Sequence, residues 1–217
     1  WVQVKCYGYI YCLKYDLEIV TLQLTCCNIE TGDIREIRKD FTLNSLREFF
    51  NPLVSNCIAH FRSVLDWEKC RDRKITDLQF PFPEFRPGQR EMAVRIYLSI
   101  RDKDHIIIQA PTGTGKTLGA IFPSVKALPE KLSEKIFYLT ARTTGRIAAE
   151  SALDQLRDMG LRLKSTTLTA KDKICFNPDR LCNAEECKYA NGYYDKIDGA
   201  LEIILKNDAI SRQLIEQ

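Results

Sequence analysis

Residues 105–122 read HIIIQAPTGTGKTLGAIF, and this stretch decides the fold of the chain. Three consecutive isoleucines predict a buried strand, and Thr117–Phe122 predicts the beginning of a helix. Between them, Ala110–Thr117 fits the phosphate-binding Walker A pattern, with alanine in place of the usual first glycine. Because strand, loop and helix follow in the required order, we predict a nucleotide site. The alternative is a surface loop that is merely rich in glycine and threonine.

The residue types of this loop suit a nucleoside triphosphate. Its glycines let backbone N–H groups face a phosphate, and the helix N-terminus adds about half a positive charge. Lys116 supplies a mobile charge for the β- and γ-phosphates, and the Thr117 hydroxyl is the expected magnesium ligand. We therefore predict ATP and magnesium as cofactors and these two residues as catalytic. The predicted cradle comprises Thr112, Gly113, Thr114, Gly115, Lys116 and Thr117.

Hydrolysis needs more than this loop. An acidic Walker B group, a residue that positions water and usually an arginine finger complete such sites. The sequence after Thr117 contains no apolar run followed by Asp-Glu. We expect the chain as given to bind ATP and to hydrolyse it poorly. Because it begins with Trp1 inside an apolar stretch, we expect a piece of a longer protein.

The bulk composition narrows the function classes. Of the 217 residues, 45% are hydrophobic and 28% are charged, as in globular proteins. No apolar run approaches the roughly 18 residues of a membrane span, so we expect no membrane partner. The net charge of +3 permits nucleic-acid contact. Nine cysteines, including the neighbours Cys26 and Cys27, form a poor disulfide framework, which predicts reduced cytoplasmic thiols or metal ligands.

Periodicity predicts two units with a boundary near residue 77. Residues 1–76 predict a small α+β unit, and beyond them alternating helices and strands predict a parallel sheet with helical crossovers. A basic run and a proline-rich run predict a linker between the units. The predicted elements of the first unit are a helix at 1–15, a hairpin at 18–29 and 34–41, a helix from the capping box of Ser45 and Glu48 to Trp67, and the linker runs Lys69–Thr76 and Phe80–Pro87. Those of the second are helices at 88–100, 116–128, 143–159 and 196–217 and strands at His105–Gln109 and Lys135–Thr140.

Residues 171–195 interrupt this alternation and carry three cysteines. Cys175, Cys182 and Cys187 are separated by six and four residues. Three thiolates in so short a span can converge on zinc or on an iron–sulfur cluster, which would need a fourth ligand. The alternative is three unrelated cysteines in an ordinary loop.

From about Phe80 onward the chain resembles the iron–sulfur DNA helicases of the XPD and DinG type in superfamily 2. Four segments carry the resemblance: Phe85–Gln89, Ala110–Thr117, Tyr138–Thr144 and the insertion that begins Lys173-Ile174-Cys175. It implies a RecA-like ATP-binding motor domain at 77–170 and the start of an iron–sulfur insertion at 171–217.

The resemblance also implies roles for single residues. Gln89 matches the glutamine that reads adenine, with Arg86 beside it. Thr140, Arg142 and Thr143 match a motif that holds the backbone of single-stranded DNA; the alternative is a strand end with Thr143 or Thr144 as a helix cap. Cys175, Cys182 and Cys187 match ligands of a 4Fe–4S cluster, whose fourth ligand is expected beyond Gln217.

Residues 1–76 resemble the C-terminal part of a PD-(D/E)XK, RecB-like nuclease, which some bacterial relatives fuse to such a helicase. Gln3 and Tyr7 fit its final Gln-x-x-x-Tyr motif and would share one helical face. A chance match on an amphipathic helix is the alternative. The metal-binding carboxylates and the lysine of that site are missing from this sequence, so we expect no catalysis by this unit.

Three functions are compatible with these patterns. The leading one is an ATP-dependent DNA helicase that moves along single-stranded DNA as a monomer, in repair or recombination. The second is a non-helicase P-loop ATPase whose cysteine loop binds structural zinc. The third is a DNA-binding module with a vestigial nucleotide site, in which the hairpin unit and Lys69–Lys74 grip a duplex.

Overall fold

The structure is a computed structural model that describes residues 1–179 and 181–216; Arg180 and Gln217, both in the predicted insertion, lie outside the described residues. The chain divides into two compact units, Trp1–Glu68 and Lys69–Gln217. The described elements are α1 Val2–Tyr15, β1 Ile19–Cys27, β2 Ile34–Thr42, α2 Leu43–Asp77, α3 Gln89–Asp102, α4 Lys116–Lys126, α5 Thr143–Asp158, β3 Ser165–Thr166, α6 Lys171–Ile174, α7 Tyr193–Ile204, β4 Ala209–Ile210 and α8 Arg212–Ile215.

The first unit contains the predicted helix and hairpin. Strands β1 and β2 pair antiparallel from Ile19 opposite Thr42 to Cys27 opposite Ile34. Helix α1 approaches β1 so closely that a Cβ at Gly8 would lie 2.8 Å from Leu22 Cδ2. A larger residue at this position would require the Leu22 side chain to move. The small core of the unit consists of Tyr9, Cys12, Leu22 and Leu46.

Helix α2 differs from the prediction at both ends. Thr42 Oγ1 accepts the Ser45 N–H at 3.2 Å, so Thr42 caps the helix and Ser45 lies in its first turn. The predicted linker Lys69–Thr76 is wrong because α2 continues to Asp77. Lysine and arginine favour helix, and burial of Ile75 adds packing that composition alone does not reveal. The units accordingly divide at 68/69, whereas the prediction placed the boundary at 76/77.

Helix α4 lies in the middle of the second core. Its residues Leu118, Ile121 and Val125 are buried at helical spacing and share a cluster with α5 and with the end of α2. Phe80 stacks on Phe85 with ring centroids 3.9 Å apart, and it meets Phe122 of α4 edge-on. Helices α3, α4 and α5 are confirmed close to their predicted bounds. The helix that begins in the phosphate loop is therefore held in place by packing in the core of this unit.

The two strands predicted around the loop do not form a ladder. Neither His105–Gln109 nor Lys135–Thr140 carries sheet hydrogen bonds within the part of the chain that the structure describes. Ile107 is 99% exposed and Leu139 is 89% exposed, although the pattern predicted burial. A strand forms only beside a partner strand about 4.8 Å away, and apolar sequence cannot supply that partner. This part of the prediction was wrong for the described residues.

The predicted helix over 196–217 is also wrong. Helix α7 ends at Ile204, and the chain then forms β4 and the short helix α8. Strand β4 pairs in parallel with β3, Ser165 opposite Ala209 and Thr166 opposite Ile210. The parallel pairing in this unit therefore lies at the base of the insertion. Among the described residues, no helix combines the length and apolarity that a bilayer span requires.

Candidate functional site

The phosphate loop adopts the backbone geometry that its glycines permit. Gly113 and Gly115 have φ angles of 85° and 71°, in the left-handed region that glycine tolerates best. Helix α4 begins directly after them at Lys116. The N–H groups of the first turn of a helix lack intrahelical partners, so they are available to an anion. Loop and helix are joined as the nucleotide prediction requires.

Lys116 folds across its own loop. Its Nζ donates to the carbonyl oxygens of Ala110 and Pro111 at 3.0 and 2.7 Å. Thr114 Oγ1 donates to the Pro111 carbonyl at 2.9 Å. Thr117 lies half-buried in the first turn of α4. The ammonium group is held by neutral carbonyls, which phosphate oxygens with their negative charge would replace.

Two residues of the predicted adenine motif, one just before α3 and one at its first position, contact the loop. Gln89 is 3% exposed; its Nε2 donates to the Gly115 carbonyl at 3.0 Å and its Oε1 accepts the Arg86 N–H at 3.0 Å. The Arg86 guanidinium donates to the Gly113 carbonyl. The carbonyl oxygens of both left-handed glycines are therefore bonded to this motif. Because Gln89 is buried and makes both of these bonds, it holds the loop in place, in addition to any contact that it makes with a bound base.

Close packing under the loop limits its sequence. A Cβ at Gly115 would lie 2.3 Å from Gln89 Nε2, and one at Gly119 would lie 2.2 Å from Met92 Cε. A side chain at either position would therefore require Gln89 or Met92 to move. The sequence analysis identified Gly115 from its conformation but missed the contact between Gly119 and Met92. A glycine one turn into an apolar helix was the signal that could have indicated this contact.

A cleft of about 560 Å³ opens beside the loop. Its size is within the range of pockets for small molecules and cofactors. Its walls combine apolar side chains with a few polar groups, including Gln89, and this chemistry suits the organic part of a nucleotide. The lining includes Pro87, Gln89, Met92, Ile106, Ile108 and Thr114.

The predicted DNA-contact residues meet at the beginning of α5. Thr140 Oγ1 donates to the Arg142 carbonyl at 3.2 Å, and a Cβ at Gly145 would clash with it at 2.1 Å. Arg142 is the N-cap residue of α5 and makes no side-chain capping bond. The capping alternative for Thr143 and Thr144 is therefore not what the structure shows. Thr140, Arg142 and Thr143 are exposed side by side.

The three predicted cluster ligands are not gathered into one site. Within residues 1–179 and 181–216, no three His, Cys, Asp or Glu side chains form a group suited to a metal ion. Asn177 N–H donates to Cys175 Sγ at 3.4 Å. Backbone N–H groups of Ala190 and Tyr189, with the Asn177 side chain, lower the pKa of the Cys187 thiol. Thiolates that accept hydrogen bonds from N–H groups are suitable ligands for a metal or an iron–sulfur cluster. The described residues, however, do not bring the three thiols together at one site.

Gln3 and Tyr7 share an exposed face of α1, as their spacing predicts. Gln3 Nε2 donates to Tyr7 Oη at 2.8 Å. This geometry fits the nuclease motif and equally fits a surface pair on an ordinary helix, so the assignment stays a prediction.

Sequence reasoning missed Lys126, at the far end of α4. Its Nζ donates to the carbonyls of Ile75, Thr76 and Leu78 at 3.0, 2.9 and 3.3 Å, which fastens the end of α2 to the helix of the phosphate loop. Burial lowers the pKa of this ammonium group. A lysine in the last turn of a helix carries no signal of such a distant partner.

Comparison with known proteins agrees with this geometry. Residues 86–193 match the family model of DEAD/DEAH box helicases. Over 111 residues, 51% of the chain, the sequence is 31% identical to a probable ATP-dependent helicase of Methanocaldococcus jannaschii. The chain covers 16% of that relative's length. No solved structure matches. Residues 86–193 are thus similar to a DEAD/DEAH box helicase segment, and a RecA-like fold, ATP and magnesium are typical of that family.

Proposed function

We propose, from this helicase segment, that the protein is an ATP-dependent DNA helicase of the XPD and DinG type that moves along single-stranded DNA. One observation carries the proposal: the phosphate loop is bonded at Gly113 and Gly115 to the Arg86 and Gln89 motif. A generic P-loop protein has no need of that motif, whereas a helicase of superfamily 2 uses it to recognise ATP. The non-helicase alternatives are therefore less favoured.

In this proposal the nucleotide displaces the carbonyl contacts of Lys116. The ammonium then neutralises the β- and γ-phosphates while the Thr117 hydroxyl binds magnesium. An amide carries two N–H groups, so the bond of Gln89 to Gly115 is compatible with a second bond to adenine. Because Gln89 is buried, the base reaches it from the cleft that it lines. Thr112 and Thr114 complete the cradle.

Single-stranded DNA lies at the beginning of α5. Thr140 and Thr143 offer hydroxyl groups, and Arg142 offers a guanidinium group, to successive phosphates. These contacts do not depend on base identity, which suits a motor that must step along any sequence. A salt-dependent affinity is expected because each neutralised phosphate releases counterions.

The insertion is proposed to hold a 4Fe–4S cluster on Cys175, Cys182 and Cys187, with a fourth ligand beyond Gln217. Support comes from the resemblance alone. When bound, the cluster would order the insertion, because metal–thiolate bonds supply folding free energy. All nine cysteines are free, which suits the reducing cytoplasm that we propose as its location.

Residues 1–76 are proposed to be the end of a RecB-like nuclease domain, with Gln3 and Tyr7 in its last motif. DNA repair or recombination would be a natural setting for such a fusion. The first unit alone is not expected to cleave DNA, since it lacks the carboxylates that bind the metal.

The test is strand separation by the full-length protein. A duplex with a single-stranded tail should be separated in the presence of ATP and magnesium and not with a non-hydrolysable analogue. Iron and acid-labile sulfide should be present and should be lost in Cys182→Ser. Separation without iron would remove the cluster from the proposal, and ATP hydrolysis indifferent to DNA would contradict the helicase assignment.

A further inference from the structure

After the three cysteines, the chain returns to the place where it left the motor unit. Ser165 N–H donates to the Asp208 carbonyl at 2.8 Å, and Thr167 N–H donates to the Ile210 carbonyl at 3.2 Å. These bonds extend the short β3 and β4 pair. The chain between Thr167 and Asp208 is therefore an excursion whose two ends lie side by side.

Arg157, near the end of α5, binds both sides of this base. Its Nη2 donates to Ser165 Oγ at 2.6 Å and to the Asp208 carbonyl at 3.2 Å. The same nitrogen lies 3.4 Å from the Leu163 carbonyl, and Nη1 pairs with Asp154 at 2.8 Å. The Arg157 side chain is 16% exposed, so these bonds are shielded from water. One guanidinium group thus joins α5, β3 and the returning segment.

Two further cations hold the returning segment. Arg162 Nε pairs with Asp208 Oδ2 at 2.6 Å. Lys164 Nζ donates to the carbonyls of Leu205 and Asn207, the first of which is the C-cap residue of α7. A cation at the carboxyl end of a helix is favourable. We call the set of Arg157, Arg162, Lys164 and Asp208 the basal joint.

The basal joint and the proposed DNA contacts lie at opposite ends of one helix. Helix α5 begins at Thr143 and has 16 residues, a length of roughly 24 Å. Its inward face, including Ala152 and Leu156, is packed in the core beside α4. A rigid packed helix transmits displacement from one end to the other.

We propose that Arg157 is a positioning residue that couples the cysteine-bearing insertion to the DNA-binding end of α5. The inference rests on the proposed function, because it requires DNA at Thr140–Thr143. Geometry supports arginine specifically: a planar fork reaches several acceptors in fixed directions, and lysine presents a single point. Without the guanidinium, the Ser165 hydroxyl and the Asp208 carbonyl each lose one hydrogen bond that is shielded from water.

The experiment compares Arg157→Gln and Arg157→Lys with wild type in the full-length protein. Arg38→Gln is the matched control, because Arg38 also forms an arginine–carboxylate pair but is 65% exposed and lies in the first unit. Strand separation per ATP hydrolysed is measured on a tailed duplex. Arg157→Gln should lose about tenfold in this ratio while DNA-stimulated ATPase changes by less than about twofold. Arg157→Lys should be intermediate, and the control should equal wild type.

Hydrogen exchange gives a readout that a merely structural role would not change. In wild type, binding of an oligo-thymidine should protect amides at the beginning of α5 and at 205–210. In Arg157→Gln, protection should remain at α5 and disappear at 205–210. Protection at both places in the variant, or an unchanged separation ratio, overturns the coupling. Absence of any protection in wild type instead overturns the proposed function, and the coupling with it.

If Arg157→Gln does not fold, Asp208→Asn is the second variant, because it weakens the basal joint at a residue of the returning segment. It removes the ion pairs with Arg162 and Lys164 and keeps the carbonyl that Arg157 binds. The same losses, smaller in size, are expected. Wild-type behaviour of Asp208→Asn in both assays would overturn the proposal.

Discussion

Replacement of Lys126 by methionine should destabilise the second unit by a predictable amount. The methionine keeps most of the apolar stem and removes the donor that serves the carbonyls of Ile75, Thr76 and Leu78. A hydrogen bond from a charged donor contributes about 2 kcal/mol, and the abandoned carbonyls lie at the end of α2. We expect the free energy of unfolding to fall by about 2 kcal/mol. For a unit of this size the melting temperature should fall by about 4 to 8 °C.

The matched control is Lys131→Met. Lys131 also reaches α2, through Asp72 Oδ2 at 2.9 Å, but its side chain is 66% exposed. Exposed ion pairs contribute less than about 1 kcal/mol, so this variant should melt close to wild type. Thermal unfolding followed by circular dichroism measures both. Equal melting temperatures for the two variants would refute the conclusion that the half-buried Lys126 holds the end of α2 in place.

Two further predictions concern the loop and α2. Gly115→Ala should weaken ATP-analogue binding and cost about 2 kcal/mol, because alanine is strained at positive φ and its Cβ displaces Gln89; Gly192→Ala, which has a φ of 66° but meets nothing closer than 3.6 Å, bears only the strain. Equal losses would contradict the Gln89 contact. Burial raises the pKa of Asp72, but hydrogen bonds from Lys131 and Arg71 outweigh it and leave this pKa below its ordinary value. The stability that Asp72 contributes is therefore complete above about pH 4 and lost as the pH falls through the folded-state value; a melting curve of Asp72→Asn with the same acid dependence as wild type would contradict this.

Local patterns predicted the parts of the fold that local physics determines. The turn before Ile34, the glycines of the phosphate loop and the helical period from Thr143 onward each act within a few residues. The helix cap was misplaced by one turn, at Ser45 instead of Thr42, because both residue types cap well.

Contacts between distant residues could not be predicted in this way. Ile106–Ile108 has the composition of a buried strand, yet sheet hydrogen bonds depend on a partner that the pattern does not name. Lys126 and Arg157 bind backbone carbonyls. Because every residue has a backbone carbonyl, the sequence does not indicate which residues these two side chains contact. The resemblance to helicases identified Arg86 and Gln89, but only the structure shows that they hold the loop itself.

We propose that Lys116 and its loop bind the ATP that drives movement on DNA. The most direct measurement is ATP hydrolysis by the full-length protein with and without single-stranded DNA, for wild type and Lys116→Ala. We expect DNA to stimulate ATP hydrolysis by the wild type, and we expect Lys116→Ala to lose that activity while it still binds DNA. Unchanged DNA-stimulated turnover in Lys116→Ala would contradict it.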